Sequence, residues 1–129
     1  MTATATAAAA DMAGQRTPKQ QTGDAGEARA ASFLAGLGYV VVGRNVQVGR
    51  DELDVICEDG DLVVFVEVRT RVRTVDALES VTPAKQRRVA RAAARWLGPL
   101  LNRRFVRFDV VAVDDDGGVT HIKDAFRVA

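Results

Sequence analysis

The chain has 129 residues, 47% of them hydrophobic and 27% charged, the proportions of one ordinary globular domain with a single core. A formal net charge of +1 excludes strong attraction to polyanions by bulk charge alone, so its distribution has to carry that question. No apolar run approaches the roughly 20 residues a membrane helix needs. The single cysteine, Cys57, excludes an internal disulfide and fits a reducing, cytoplasmic compartment.

In chain order, residues 1–20 are Ala/Thr-rich and then polar, and read as a flexible low-complexity tail ahead of a folded domain at 21–129. The tail lacks the basic start and Leu-rich centre of a secretory signal. The stretch DAGEARAASFLAGLGY predicts the first helix: Ala30, Phe33, Leu34 and Leu37 recur at helical spacing, and Gly38 supplies a stop. YVVVGRNVQV, ELDVIC and LVVFVEVRTR predict three strands, the last two joined by a tight turn at EDGD. Residues 72–81 read as a loop. Thr82 and Pro83 supply an N-cap and a first-position proline for a second helix running to about Leu101, with Val89, Ala93, Trp96, Leu97 and Leu100 on its inner face. RFVRFDVVAVDD predicts a fourth strand, whose unbroken apolar run suits a covered central position. VTHIKDAF predicts a short fifth strand after a turn at Asp115-Asp116-Gly117-Gly118. The order αβββαβ(β) describes an α/β domain, a mixed β-sheet flanked by helices.

Carboxylates interrupt the second and third strands at Glu52, Asp54 and Glu67. A turn closing with Glu58 opposite Asp61 sets Asp54 across from Phe65 and makes Glu67 its diagonal neighbour on the same face, roughly 7–8 Å away. Two acids so placed suit one divalent cation such as Mg²⁺, with Arg69 two residues further along that face. The same register puts Glu52 opposite Glu67, a pair that repels unless a cation or proton intervenes. Acids at strand ends are also commonly a solvated face, and the spacing alone leaves both readings open. Glu27 is equally two-sided. Asp24-x-x-Glu27 has the form of a helix-start capping arrangement, yet Glu27 shares a face with Ala30 and Leu34. The amide of Gln86, which begins the row Ala90, Ala93 and Leu97, either satisfies a nearby backbone group or reaches the acids. Cys57 alternates with Leu53 and Val55 and reads as core filling. His121, the only histidine, belongs to no catalytic pattern.

Between Pro83 and Phe108 there is no acidic residue, but there are Lys85, Arg87, Arg88, Arg91, Arg95, Arg103, Arg104 and Arg107. Arg88, Arg91 and Arg95 form a helical stripe opposite the apolar face, with Arg69, Arg71 and Arg73 nearby in sequence. Such a surface either is a solvated outer face or neutralises the phosphates of nucleic acid. No aromatic residues interleave with these arginines, which disfavours a platform for stacking single-stranded bases.

The segments GEARAASFLAGLGY, GRNVQVGRDELDVICEDGDLVVFVEVRTR, VTPAKQRRVARAAARWL and RFDVVAV together resemble the YraN-like family of uncharacterised bacterial proteins. That family is similar in turn to Holliday-junction resolvases and to the restriction-endonuclease-like PD-(D/E)xK superfamily. The resemblance covers nearly everything after residue 20 and implies a restriction-endonuclease-like fold for an endonuclease-like domain at 21–129. It implies that Asp54, Glu67 and the carbonyl of Val68 hold Mg²⁺ or Mn²⁺, and that Glu27 binds the metal or a water on it. Arg69 takes the superfamily's lysine position and would stabilise the transition state, and Gln86 would orient a water or a phosphate. Lys85, Arg88, Arg91 and Arg95 would grip the backbone of structured or branched DNA, the twofold symmetry of a junction matching a homodimer. Two departures stand out. Arg69 cannot give up its proton as a lysine can, and Asp51 replaces the usual glycine before the E-x-D segment. A non-cutting nucleic-acid-binding module on the same fold, and a structural protein whose arginine face meets an acidic partner, are the alternatives.

Overall fold

Residues 18–70 and 72–128 are described by the computed structural model, so most of the expected tail, and Arg71, lie outside the described residues. Helix α1 spans Pro18–Gly36. It therefore begins ahead of Asp24, and the capping reading of Asp24 and Glu27 fails because both sit in the helix interior. Gly38, at φ 98, ends the helix, with the Tyr39 N–H returning to the Leu34 carbonyl at 3.2 Å. Three strands follow: β1 (Val40–Val48), β2 (Asp51–Asp59) and β3 (Leu62–Thr70). Helix α2 (Pro83–Leu97) then leads to β4 (Phe105–Val113) and β5 (Val119–Ile122). The sheet order is β1-β2-β3-β4-β5, antiparallel except for the parallel pair β3–β4 that α2 connects. The chain is thus an α/β domain of order αβββαββ, with a five-stranded mixed sheet in a restriction-endonuclease-like arrangement.

Both faces of the sheet are covered. Leu53, Ile56, Val63, Phe65, Val110 and Ala112 pack with Val89, Ala92, Ala93 and Leu97 of α2. Val55, Cys57, Val64, Val66, Val111 and Val113 pack with Ala30 and Leu34 of α1. Strands buried on both faces lose the polar/apolar alternation of a half-exposed strand, which is why β3 and β4 read as apolar runs. Burial, then the charge of Asp109, pushes the Cys57 thiol up to about 11, in keeping with core filling.

Helix α2 starts as the sequence predicts, the Thr82 hydroxyl accepting the Lys85 N–H at 3.2 Å with Pro83 at the first position. It stops at Leu97, short of Leu101, because Gly98 adopts φ 54 and Pro99 follows; a 3₁₀ segment, Gly98–Asn102, takes over. Leu100, expected on the inner face, is consequently exposed, while Trp96, within α2, sets its ring edge-on against the buried Phe65 at 5.9 Å and leaves the rest of its surface open. The loop expected at 72–81 contains a short 3₁₀ turn, Thr74–Asp76, and buries Ala77 and Val81 in the α2-side core.

Two irregularities set up the site. The first is hairpin register: Asp59 pairs with Leu62, Glu58 with Val63 and Ile56 with Phe65, a shift of two from the expected pairing. Gly60, at φ 60, takes the first position of a two-residue turn, where only glycine sits without strain. A slip of two preserves each residue's face. It also makes Asp54 and Glu67 direct opposites, one step past the last ladder pair, Val55–Val66, and removes the expected Glu52–Glu67 pairing. The second is a change of face within β2. Leu53 belongs to the α2-side core but Val55 to the α1-side core, so alternation breaks at Asp54. Asn45, opposite Asp54 in the β1–β2 register, has φ 51, a left-handed conformation asparagine tolerates. Here β2 leaves β3 while remaining paired with β1.

A buried polar network fastens the α1 side of the sheet. Asp109 on β4 is fully buried and accepts both Arg107 donors at 2.8 Å, the Asp124 N–H at 3.0 Å and a hydrogen bond with His121 Nε2 at 2.7 Å. Arg107 also donates to the Tyr39 hydroxyl at 2.8 Å, joining β4 to the α1–β1 junction. Arg107 and His121 are therefore structural partners of Asp109. Burial alone would raise the Asp109 carboxyl, but the hydrogen bonds from His121, Arg107 and Asp124 pull it down to about 2. A lowered carboxyl stabilises the fold above its ordinary value near 3.8 and loses that contribution as pH falls through about 2. Asp109→Ala leaves the half-buried Arg107 and the buried Asp109 site without their pairing, and we expect urea unfolding at pH 7 to show a loss of about 3–5 kcal/mol. A loss under about 1 kcal/mol, the scale of a surface pair, would contradict this account.

Candidate metal centre and its basic flank

The site is assembled where β2 departs from β3. With no β2 backbone opposite it there, the Val68 N–H is accepted by the Asp54 side chain, Oδ2 at 2.9 Å. The Asp54 carboxylate thereby takes the place of a missing ladder carbonyl and is fixed at the split. Glu27 descends on it from α1. Gly26 makes this approach possible, since a side chain there would collide with Thr70 of β3. Oxygens of Glu27, Glu52 and Asp54 all lie within 4.8 Å of one another. Glu27 is only 9% exposed, and among the described residues its Oε2 has no hydrogen-bond partner. A buried acceptor without a donor is costly, and native folds rarely leave one without a ligand, ion or water to meet it.

Glu67 joins the cluster from the other side. It shares the α2 side of β3 with Val63 and Phe65, is buried, and in its protonated form hydrogen-bonds Asp54. Lys85 Nζ lies 3.7 Å from Glu67 Oε1. Burial first, then the charge of Asp54, raises the Glu67 carboxyl far above the usual range, with Lys85 and Arg69 opposing the rise. Glu27 is pushed up to about 8, by burial first and then by the charges of Asp54, Glu52 and Asp24, with Arg44 opposing. Both shifts favour the protonated forms of Glu27 and Glu67.

Of the ligands expected, the structure brings Glu27 and Asp54 together and sets Glu67 against Asp54, while Val68 is engaged there through its amide. Glu52, which the sequence marked only as a surplus acid, completes the close group. Its spacing, Glu52-x-Asp54, was the available signal. Arg69 is turned to the loop before α2, its Nε donating to Ser80 Oγ at 3.0 Å while Ser80 Oγ donates to the Ala77 carbonyl at 2.6 Å. Gln86 gives its amide to the Val81 carbonyl at 3.0 Å, a local backbone contact.

The arginines of α2 do not face away from the sheet as a free stripe. Arg91 pairs with Asp51 at 3.0 Å, and the Arg95 guanidinium packs on Gly49, so both reach the β1–β2 turn. Arg104 is taken by Glu58 at 2.7 Å. Asp51, the departure from the superfamily's glycine, is thus neutralised by Arg91. Arg88 and Lys85 border a pocket of about 200 Å³ together with Arg50, Asp51, Glu52 and Val89, so cations of α2 share one hollow with Glu52.

Residues 26–113 match the family model described as uncharacterised protein family UPF0102. The chain belongs to that family, the YraN-like proteins its sequence resembles. Relatives carrying the UPF0102 description include a protein of Alkalilimnicola ehrlichii, 48% identical over 103 residues covering 77% of this chain and 82% of the relative. Another, from Geotalea uraniireducens, is 42% identical over 121 residues covering 88% and 95% respectively. A protein of Symbiobacterium thermophilum is 46% identical over 98 residues, covering 74% and 83%. The family match spans every residue of the acidic group, from Glu27 to Glu67, and the first turns of α2.

A raised carboxyl favours the fold below its ordinary value of 4.5 and ceases to as pH climbs through about 8. In EDTA the wild-type melting temperature should therefore fall between pH 5 and 8.5 by at least about 4 °C more than that of Glu27→Gln. Mg²⁺ or Mn²⁺ should recover the wild type alone, because metal binding displaces the protons. Parallel pH profiles for the two proteins would refute the placement of Glu27.

Proposed function

We propose that this chain is a divalent-metal-dependent nuclease-like protein that binds structured or branched DNA and hydrolyses a phosphodiester in it. The observation that carries this reading is Glu27: its buried Oε2 has no hydrogen-bond partner among the described residues, and its carboxylate brings an oxygen within 4.8 Å of oxygens of Asp54 and Glu52. An all-oxygen donor set of carboxylates suits Mg²⁺ or Mn²⁺ over softer metals. A divalent cation there supplies Lewis-acid polarisation of a phosphodiester and a more acidic bound water. The protein's share is positioning. Asp54 is held by the Val68 amide, Glu27 by the close contact of α1 on β3 at Gly26, and Glu67 stands across from Asp54 in the hairpin register. Arg88 and the neighbouring cations would hold the DNA backbone across the mouth of the site. No helix among the described residues is long and apolar enough to cross a membrane, so nothing in this reading invokes one.

A second reading, binding without cutting, is favoured by Arg69. Its charge is permanent, and its guanidinium is engaged by Ser80 and turned to the loop before α2. The two readings separate in one assay. Purified protein with Mg²⁺ or Mn²⁺ should nick or resolve a four-way DNA junction, and Asp54→Asn and Glu27→Gln should each lower the rate by roughly 10²-fold or more. Junction binding in Ca²⁺ without cleavage in Mg²⁺ or Mn²⁺ would select the second reading. No binding to junction or duplex at low salt would discard both.

A further inference from the structure

The sequence assigns the reacting phosphate's cation to Arg69, and the structure points elsewhere. Arg69 lies beyond Glu67 on β3 and is anchored by Ser80, a side chain itself fixed to the Ala77 carbonyl. Lys85, entering from the first turn of α2, comes to 3.7 Å from Glu67. It also lines the pocket that holds Glu52. Three cations surround that pocket: Arg50 from the β1–β2 turn, and Lys85 and Arg88, three residues apart on one face of α2. Of its two acids, Asp51 is held in the ion pair with Arg91, and Glu52 brings an oxygen within 4.8 Å of oxygens of Glu27 and Asp54. At about 200 Å³ the pocket has room for one phosphate group.

We propose that the hollow between the β1–β2 turn and the start of α2 is a phosphate-binding subsite, and that Lys85, with Arg50 and Arg88, meets the substrate phosphate in place of Arg69. This rests on the nuclease-like reading of the neighbouring carboxylates. Lys85 is suited to the task because its ammonium is a compact point charge on a flexible stem. It can leave Glu67 for a phosphate oxygen without breaking a bidentate pair. Arg69 instead becomes a positioning residue, tying the end of β3 to the segment that feeds α2. The subsite also orders its ligands. Glu52 contributes negative charge to the pocket, so a cation among Glu27, Glu52 and Asp54 makes the hollow more welcoming to an anion. Phosphate and divalent cation therefore bind with positive linkage.

The test uses the thymidine dinucleotide pTpT, which carries two phosphates and little base surface, titrated into ¹⁵N-labelled protein with and without Mg²⁺. Amide shifts should centre on Arg50, Glu52 and Val89, and Mg²⁺ should tighten binding. Lys85→Ala and Arg88→Ala should each weaken pTpT binding about tenfold, the scale of one charge-assisted hydrogen bond. Lys85→Arg should restore most of it, Arg95→Ala should change it less than about twofold, and Arg69→Ala should weaken it less than Lys85→Ala does. Loss in Arg69→Ala with Lys85→Ala silent would overturn the assignment, as would shifts spread evenly along α2 to Arg95. Mn²⁺ affinity, followed separately by proton relaxation, keeps the two ideas apart. A protein that binds pTpT in the hollow but takes up no Mn²⁺ retains the subsite and loses the nuclease-like reading. One that takes up Mn²⁺ and shows no shift in the hollow retains the metal centre and loses the subsite.

Discussion

A single hydrogen bond, from the Val68 amide to the Asp54 carboxylate, governs how this sheet can carry a site. A strand in the middle of a sheet must give each backbone N–H a partner, and β3 would lose one where β2 turns away. The Asp54 side chain fills that place, so β2 can leave the ladder without stranding a buried donor. The departure in turn opens the gap into which α1 lowers Glu27. Backbone completion and carboxylate placement are thus one arrangement. Charge at Asp54 strengthens the bond to the amide, which an uncharged side chain would make more weakly. The same geometry lets Asp54 touch acids from both layers, Glu27 from α1 and Glu67 from the side of α2. An acid lying wholly on one face would reach only one of them.

How far the sequence revealed this depends on which signal each residue leaves. The strand and helix order followed from apolar periodicity and turn residues, because both faces of the sheet are covered and the strands are correspondingly apolar. Face survived an error in register: pairing shifted by two leaves Asp54 and Glu67 on speaking terms, whereas a shift by one would have parted them. What misled was local chemistry with a tertiary answer. Asp24 and Glu27 have the spacing of a cap, yet the helix already runs through residues before Asp24 and leaves Glu27 mid-helix, aimed at the sheet. The arginines of α2 look like a free stripe in one dimension, but Arg91 and Arg95 bend to a turn some forty residues upstream. Asn45 offered no hint at all. Its left-handed backbone is tolerated by asparagine almost anywhere, so its identity cannot announce the break opposite Asp54.

Gly26 shows the same coupling from the helix side. In an exposed helix a glycine costs roughly 1 kcal/mol relative to alanine, and here it is one residue before Glu27. It is not a stop signal. It is the point of closest approach to Thr70, and the missing side chain lets α1 sit low enough for the Glu27 carboxylate to meet Asp54. A weakness in local propensity is offset by tertiary packing at the place where the acids gather. Departures from local rules of this kind tend to concentrate at functional sites.

The two buried-acid arrangements of this fold make the final point by contrast. Asp109 is more deeply buried than Glu27, yet every side of it is answered: Arg107 from its own strand, His121 from β5, and the Asp124 amide. Its carboxyl is held far below its ordinary value, the mark of an acid whose charged form the fold was built to keep. Glu27 sits near Arg44 but, among the described residues, has an oxygen with no donor, and its carboxyl is driven the opposite way by burial and by the acids around it. A chain able to satisfy one buried carboxylate with an arginine, a histidine and an amide has the means to satisfy another. The fold instead gathers Glu52 and Asp54 beside Glu27, which adds to the mismatch and supplies more oxygen donors within 4.8 Å. Asp109 is thus already answered by donors of the protein itself, whereas the Glu27 group, one of whose acids is the exposed Glu52, presents three carboxylate oxygens that could receive a metal ion.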